Sequence, residues 1–305
     1  MRLIAFLCLL AAYGFAHAAD PIVRSVWFHS DLPQPVHRLP PDLRSVADRL
    51  PQWRAPGLEA LGLWSMISAA PARFGLSQEQ ALALRDAINS RYLAIVRDPD
   101  MAGLQSAWPE AISTDPQRRG HYFLIQPADT DPELPVIVFL HGWGGNFLFY
   151  ADFLKQALPG YRIVIPSYGL SWRQAPTAYL DEVLEHAENR LGTTITRPVL
   201  MTISAGGPAG FRAAIDNPTA YRCIISLATQ PDAAQLDKIP AALPVLMLVG
   251  TNDRRFPIDG VQHAARRLDA RLDNFQLTTL EADHFFLLTQ PQATTTAISR
   301  WLADH

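Results

Sequence analysis

Several short segments of this chain are apolar at every position rather than at every second one. Val136–Leu140 and Val245–Val249 are the clearest examples. A strand with one face in water alternates apolar and polar residues, so strands without alternation must be covered on both faces. Helical stretches separate most of these segments. The pattern predicts an α/β fold, in which helices cover a doubly wound, mostly parallel sheet.

Seven strands are predicted after residue 119, and in such a sheet binding sites lie beyond the carboxyl ends of strands. The predicted strands are His121–Gln126, Pro135–Leu140, Tyr161–Pro166, Pro198–Ile203, Arg222–Leu227, Pro244–Gly250 and Phe275–Leu280. We assign residues 120–305 to a catalytic domain. No internal repeat and no low-complexity tract is present.

Residues 19–119, called here the N-terminal extension, have a different composition. Prolines are frequent from Pro21 to Pro56, which predicts an extended segment without long helices or central strands. A short helix is predicted over Leu58–Ala69. A capping box, Ser77–Gln80, predicts the start of a longer helix that runs to about Arg97. We expect this proline-rich and helical extension to dock on the domain that follows.

The first 18 residues have the pattern of a secretory signal peptide. Arg2 precedes the apolar run Leu3–Ala12, and Ala16 and Ala18 are the small residues that a signal peptidase reads. The alternative is a membrane anchor, but a spanning helix needs about 20 apolar residues. We predict cleavage near Ala18 and export to the periplasm or the medium, without a stable membrane anchor.

Charge and cysteine content exclude further classes. Lys and Arg total 26 against 29 Asp and Glu, and no basic run is present, so nucleic acid is not an expected partner. Only two cysteines are present, and Cys8 lies in the predicted signal peptide. Cys223 is expected to be a small buried hydrophobic residue. The histidines outside the candidate site lack metal-ligand spacing, so no metal site is predicted; they include His29, His37, His121, His186 and His263.

One predicted strand ends at a serine with small residues behind it. Ser204 follows Ile203 and precedes Ala205, Gly206 and Gly207, after which a helical stretch begins. A strand, a serine, small residues and a helix make a nucleophile elbow. The usual first glycine of that motif is replaced by Thr202. A serine at a helix N-cap is the simpler alternative.

Two more strand ends carry an acid and a base. Asp253 follows the strand that ends at Gly250, and His284 follows the last predicted strand. With Ser204 they occur in the order Ser, Asp, His, all at one edge of a parallel sheet, which predicts a catalytic triad. Asp232, which follows another strand end, is the rival acid, whereas Asp283 adjoins the histidine and is poorly placed to reach its ring.

The strand ending at Leu140 leads into a segment rich in glycine, residues 141–146, called here the glycine loop. Such a loop can turn backbone N–H groups toward the serine and bind a developing oxyanion. A phosphate-binding loop is the alternative, but the sequence lacks both Gly-Lys-Ser/Thr and Gly-x-Gly-x-x-Gly spacing.

On these residues the chain from about His121 to Asp304 resembles the α/β-hydrolase superfamily, above all its secreted esterases and polyester-depolymerase-like members. The resemblance implies that Ser204 is the nucleophile, His284 the general base and Asp253 the acid. It implies an oxyanion hole formed by the N–H groups of Trp143 and Ala205, an acyl-enzyme intermediate and no cofactor. The expected substrate is a small-molecule or polymeric ester.

Two other functions stay open. A secreted serine peptidase could use the same triad, although no gating propeller fits before Gly120. A non-catalytic binding protein would leave the triad without a role. Among the aromatic residues near the predicted site, Trp143 is the one expected to line a substrate pocket, and most of the others are expected in the core. The connection after Leu227 is too short for a large lid, so any cover must come from the N-terminal extension.

Overall fold

The computed structural model describes residues 21–32, 35, 55–111, 119–128, 131 and 133–305. Its centre is one eight-stranded sheet in the order β1-β2-β4-β3-β5-β6-β7-β8. β1 and β2 run antiparallel to their neighbours, and the other strands are parallel. The strands are β1 (Ile22–His29), β2 (Arg119–Gln126), β3 (Val136–Leu140), β4 (Arg162–Ser167), β5 (Val199–Ile203), β6 (Ile224–Leu227), β7 (Val245–Gly250) and β8 (Phe275–Leu280). The predicted α/β fold is confirmed, and so are all seven predicted strands.

Helices cover both faces of the sheet, which explains why β3, β5 and β7 are buried at every position. One apolar cluster holds residues of α1 (Pro56–Ala69), α2 (Gln78–Arg97), α3 (Trp108–Ala111), α4 (Leu148–Ala157), α8 (Phe286–Thr289) and α9 (Pro291–Asp304). The cluster on the opposite face holds residues of α5 (Thr177–Leu191), α6 (Gly207–Asp216) and α7 (Ile258–Asp269).

The N-terminal extension joins this architecture in two ways. Its helices α1 and α2 are confirmed, and α2 begins with the predicted capping box, in which Ser77 and Gln80 exchange hydrogen bonds. The sequence analysis missed β1, which pairs with β2 over its whole length as the edge strand. An edge strand leaves N–H groups unpaired on one side, which suits its proline-rich surroundings.

Some sequence predictions lie outside what the structure tests. Residues 1–18, the predicted signal peptide, lie outside the described residues, and so does most of the proline-rich segment after residue 35. The domain boundary near residue 120 stays a prediction. Cys223 is fully buried, as expected, and burial raises the pKa of its thiol to about 11.

Candidate active site

The chain makes an abrupt turn where β5 ends. Ser204 has a φ of 50°, in the left-handed region that residues with a side chain seldom adopt. A 3-10 turn, Ser204–Gly206, then leads directly into α6. Backbone strain of this kind costs on the order of 1–3 kcal/mol and persists only where the surrounding structure enforces it. Here the turn places Ser204 in the wall of a cavity rather than in the core.

Close packing explains the small residues around this turn. A Cβ at Gly206 would lie 2.4 Å from the carbonyl oxygen of Leu140, so only glycine fits against the end of β3. Thr202 stands where the motif usually has glycine, and the structure shows how its side chain is accommodated. A Cβ at Gly210 would lie 2.4 Å from Thr202 Cγ2. The glycine on α6 therefore leaves the space that the threonine methyl group occupies.

The acid and the histidine lie on loops that are bonded to each other. The N–H of Thr251 donates to Leu280 O over 2.8 Å, and the N–H of Asn252 donates to Ala282 O over 2.9 Å. Gly250 permits this contact, because a Cβ there would lie 2.3 Å from Ala282 O. These bonds fix the loop after β7 against the loop after β8 and so fix Asp253 relative to His284.

Ser204, His284 and Asp253 form one continuous chain of hydrogen bonds. His284 Nε2 lies 2.9 Å from Ser204 Oγ, and His284 Nδ1 lies 2.7 Å from Asp253 Oδ2. Asp253 Oδ1 accepts from the N–H groups of Arg255 and Phe256. A carboxylate can only accept, so Nδ1 carries the proton and Nε2 is free to accept the serine proton. This arrangement can generate a nucleophilic alkoxide.

The two rival carboxylates are placed differently. Asp283 Oδ1 accepts from the N–H of Phe285 over 2.8 Å, which turns this side chain away from the histidine ring. Asp232 is exposed in the cavity wall. The hydrogen bonds of His284 go to Asp253 and Ser204.

The glycine loop is held in shape by its own histidine and by two glycines. His141 is fully buried; its Nδ1–H donates to Gly142 O over 2.8 Å, and its Nε2 accepts from the N–H of Tyr168 over 3.2 Å. Gly144 and Gly145 have φ values of 109° and 115°, which favour glycine. Trp143 and Ala205, which we predict to form the oxyanion hole, both line the cavity, and their donor role stays a prediction.

The cavity beside Ser204 has a volume of about 510 Å³ and a mainly apolar wall. Trp143 lines it as expected. Four other aromatic residues line it too, and three of them, Phe147, Phe149 and Tyr150, are at the same time buried in the apolar core, where most of these residues were expected. The fourth is Phe285, whereas Tyr168, Trp172 and Phe286 do not line the cavity. Periodicity could not separate the two groups, because a helix start that faces a cavity is as apolar as one that faces the core.

The N-terminal extension supplies part of the cavity wall, in agreement with the prediction that any cover would come from it. Leu63 and Met66 on α1 and Phe74 beyond it line the cavity. The ring of Phe74 packs edge-on against Trp143, with centroids 5.7 Å apart, and contacts Phe285 at 6.2 Å. The extension therefore touches the loops that follow β3 and β8.

The N-terminal extension also makes hydrogen bonds to the glycine loop and to the start of α4. Trp108 Nε1 donates to Gly144 O. Glu59 is fully buried on α1; its carboxylate accepts from the N–H of Leu148, the first residue of α4, over 2.7 Å and from the Tyr92 hydroxyl. Sequence reasoning missed Glu59, although its spacing to Leu63 and Met66 places it on the apolar face of α1.

Burial changes the ionisation of Glu59. Loss of hydration raises the pKa of its carboxyl to about 7, although hydrogen bonds from Ser106, Tyr92 and Leu148 partly oppose the shift. A carboxylate at the first turn of a helix interacts favourably with the backbone N–H groups there. α4 has no side-chain cap of its own at Phe147, so Glu59 supplies the acceptor from another part of the chain.

The cavity offers no evident metal site. Among the residues that the structure describes, no group of three or more His, Cys, Asp or Glu side chains is placed to hold a metal ion.

No helix within the described ranges has the length and apolar character needed to cross a bilayer.

Comparison with known proteins defines the fold. No family model and no curated protein matches the sequence. Among solved structures, an esterase from Pyrococcus furiosus superposes with a TM-score of 0.50 at 13% identity, covering 61% of this chain and 87% of that chain. The chain has an α/β-hydrolase fold. A predicted CIB-like hydrolase from Thermoplasma acidophilum has 16% identity, coverage of 61% and 94%, and a TM-score of 0.49.

An acylaminoacyl peptidase from Pyrococcus horikoshii also matches, at 14% identity and a TM-score of 0.49, with coverage of 61% of this chain and 39% of that chain. At these identities the similarity extends to the fold and leaves the substrate open.

Proposed function

We propose that this protein is a serine hydrolase that cleaves carboxylic esters. The observation that carries the proposal is the unbroken hydrogen-bond chain from Asp253 through His284 to Ser204, which opens into an apolar cavity. A buried carboxylate, a histidine of fixed tautomer and a serine on a strained turn are the parts that acyl transfer requires.

The reaction would proceed in two halves. Ser204 Oγ attacks the ester carbonyl while His284 Nε2 takes its proton, and the alcohol leaves with that proton to give an acyl-enzyme. Water, activated by His284, then releases the acid. Asp253 keeps the imidazole oriented and stabilises its charged form. In this proposal the N–H groups of Trp143 and Ala205 bind the oxyanion, and no metal or organic cofactor takes part.

The cavity favours an ester with an apolar acyl or alcohol part. Leu63, Met66 and Phe74 of the extension face the same cavity as Trp143 and Phe285, so a substrate would be enclosed from two regions of the chain. Such an enclosed site suits a small-molecule ester better than a polymer surface. A polymeric ester is therefore included as the alternative substrate in the comparison described below.

Labelling with a fluorophosphonate probe tests the nucleophile. We expect the wild-type protein to be labelled, and Ser204→Ala to lose both labelling and ester turnover while its thermal unfolding stays unchanged, because the hydroxyl is needed for attack and not for packing. An active and unlabelled wild type, or an active Ser204→Ala variant, would contradict the assignment.

A substrate comparison tests the reaction class. Short-chain and aromatic nitrophenyl esters, a polyester film, and aminopeptide and prolyl-peptide substrates are compared on the same preparation. We expect the highest kcat/KM for a small ester, because an alcohol leaves more readily than an amine. A peptide with an equal or higher kcat/KM would identify a peptidase. Absence of turnover together with absence of labelling would favour a binding protein.

The predicted signal peptide leads us to propose that the enzyme acts after export. N-terminal sequencing of the protein recovered from the periplasm or medium of an expressing bacterium should begin near Ala19. A chain that stays in the cytoplasm with Met1 intact would refute export.

A further inference from the structure

The side chain of Tyr150 lies close to the proposed nucleophile and has no part in the mechanism described so far. Tyr150 is in the first turn of α4, with only 5% of its surface exposed. Its ring packs against Phe149 and Phe139, with centroid distances of 4.2 and 5.2 Å. These contacts hold the ring in place and so help to position the hydroxyl group.

The hydroxyl group lies between the glycine loop and the nucleophile turn. A Cβ built on Gly142 would lie 3.2 Å from Tyr150 Oη and 3.4 Å from Ser204 Cβ, so the phenol and the serine both lie close to one point beside Gly142. Tyr150, Gly142 and Ser204 also line the same cavity. A substrate carbonyl attacked by Ser204 would therefore lie near the phenol.

The hydroxyl group has a proton available to donate. Burial raises the pKa of the Tyr150 phenol, the charge of Glu59 raises it further, and a backbone hydrogen bond from Gly142 opposes the shift. The phenol is therefore protonated at neutral pH. Its oxygen accepts from Gly142, and within the described part of the chain no group accepts its proton.

We propose that the Tyr150 hydroxyl donates a hydrogen bond to the carbonyl oxygen of the ester as the tetrahedral intermediate forms, as a third donor beside the N–H groups of Trp143 and Ala205. This inference rests on the proposed esterase function. A neutral donor that faces the site without an acceptor gains its hydrogen bond when charge develops on the oxygen, which is where such a bond accelerates the reaction.

The step balances without a further reactant. The Ser204 Oγ–carbon bond forms, the carbonyl π pair moves onto oxygen, and the serine proton passes to His284. Tyr150 keeps its proton throughout and only donates the hydrogen bond. When the C–O bond to the alcohol breaks, the pair on oxygen restores the carbonyl, and the leaving alkoxide takes the proton from His284.

A purely structural role for Tyr150 is the competing explanation, because its oxygen accepts from Gly142 and could simply hold the loop. The two roles respond in opposite directions to the acidity of the phenol. A more acidic phenol is a stronger donor to an oxyanion but a weaker acceptor from a backbone N–H. Varying the acidity without changing the shape of the side chain therefore separates them.

Substitution is the first part of the experiment. Tyr150→Phe should lower kcat for a nitrophenyl ester by about 100-fold, near the lower end of the effect of removing one oxyanion donor, with little change in KM. Tyr221→Phe is the matched control, because Tyr221 is also buried, at 4% exposure, but lines a separate cavity. The control should keep its kcat, and thermal unfolding is recorded for both variants.

Site-specific incorporation of 3-fluorotyrosine and 3,5-difluorotyrosine at position 150 is the second part, and it also serves if Tyr150→Phe does not fold. We expect kcat to rise as the phenol becomes more acidic. A kcat that falls with acidity would show that the hydroxyl only holds Gly142, and a kcat that does not change would show that it does neither. Both results would overturn the proposal.

The outcomes also separate this inference from the proposed function. If the wild-type protein is labelled by a fluorophosphonate and cleaves esters but Tyr150→Phe keeps full kcat, only the role of Tyr150 fails. If the wild type cleaves no ester, the proposed function fails, and the inference fails with it.

Discussion

The proposed reacting groups follow strands of the sheet, whereas part of the cavity wall comes from the N-terminal extension. Ser204, Asp253 and His284 follow β5, β7 and β8 of the parallel sheet, where the backbone leaves little freedom: Gly206 and Gly250 admit no Cβ. The described residues of the N-terminal extension supply no member of this hydrogen-bond chain. It contributes instead the apolar side chains Leu63, Met66 and Phe74 and the buried Glu59.

The difference suggests that the two regions have different roles. Strand ends position the proposed reacting atoms, because parallel strands all end at one edge of the sheet and three residues far apart in sequence meet there. One part of the pocket can change shape without moving those strands, because Leu63, Met66 and Phe74 belong to a separate segment. Substitutions in the two regions should accordingly differ in kind: those at strand ends change the rate of the chemical step, and those in the extension change stability and substrate preference.

The largest effect predicted here is at the acid. Asp253→Asn should lower kcat by about 10⁴-fold while leaving the fold intact, because an amide in place of the carboxylate stabilises the wrong tautomer of His284. Asp232→Asn is the matched control: this carboxylate lines the same cavity but makes no hydrogen bond to the histidine, and kcat should stay within about 3-fold of wild type. Steady-state kinetics with one ester measures both. A large loss in the control with a small loss at Asp253 would assign the acid to Asp232.

The different origins of the two regions also explain what the sequence could and could not predict. Residues at strand ends carry local signals: an apolar run before Ser204 and small residues after it predicted the turn, and the order Ser, Asp, His predicted which groups the fold brings together. Thr202 departs from the motif, and the residue that makes room for its methyl group is Gly210 on α6. Only the packed structure shows that these two residues are in contact.

Residues of the extension act through contacts that are distant in sequence. Glu59 accepts from Leu148, 89 positions away, and Trp108 donates to Gly144. No local pattern specifies such pairs, although a glutamate on an apolar helix face is a signal that a partner exists. β1 was missed because strand pairing at a sheet edge depends on β2, which lies beyond α1, α2 and α3 in the sequence.

The second prediction concerns the stability contributed by Glu59. The pKa of the Glu59 carboxyl is about 7 in the folded protein and 4.5 in the unfolded chain. Between these pH values the folded state keeps the proton and the unfolded state releases it. The contribution of the protonated carboxyl is fully present below about pH 4.5 and is lost as the pH rises through 7. The free energy of unfolding falls by roughly 3 kcal/mol over this range, since one pKa unit corresponds to about 1.4 kcal/mol.

Glu59→Gln removes this titration and keeps an oxygen that can accept from Leu148 and Tyr92. We therefore expect the unfolding free energy of the variant to rise relative to that of wild type as the pH goes from 4.5 to 8. Glu79→Gln, at an exposed position on α2, is the control for the same substitution on the surface. Urea denaturation at a series of pH values gives both curves. Parallel curves for Glu59→Gln and wild type would mean that Glu59 ionises as it does in water.

The smallest predicted effect is on substrate preference. Phe74 lines the cavity and packs against Trp143, and Phe74→Leu would shorten that part of the wall. We expect the ratio of kcat/KM for a long-chain ester to that for the acetyl ester to rise by about 10-fold, the scale on which one or two methylene groups are distinguished in an apolar pocket. The kcat for the acetyl ester should change little, since the hydrogen-bond chain from Asp253 to Ser204 contains no atom of the extension.

A matched variant shows whether such a change depends on position or on general loosening of the extension. Phe28 on β1 is buried to the same extent as Phe74, at 8% exposure, but packs against Tyr122 and His186 on the other face of the sheet. Phe28→Leu removes the same atoms, so it should cost similar stability and leave the ratio unchanged. Equal shifts in the two variants would indicate that the extension acts on the site through its stability, whereas a shift confined to Phe74→Leu would mean that the extension sets the shape of the pocket.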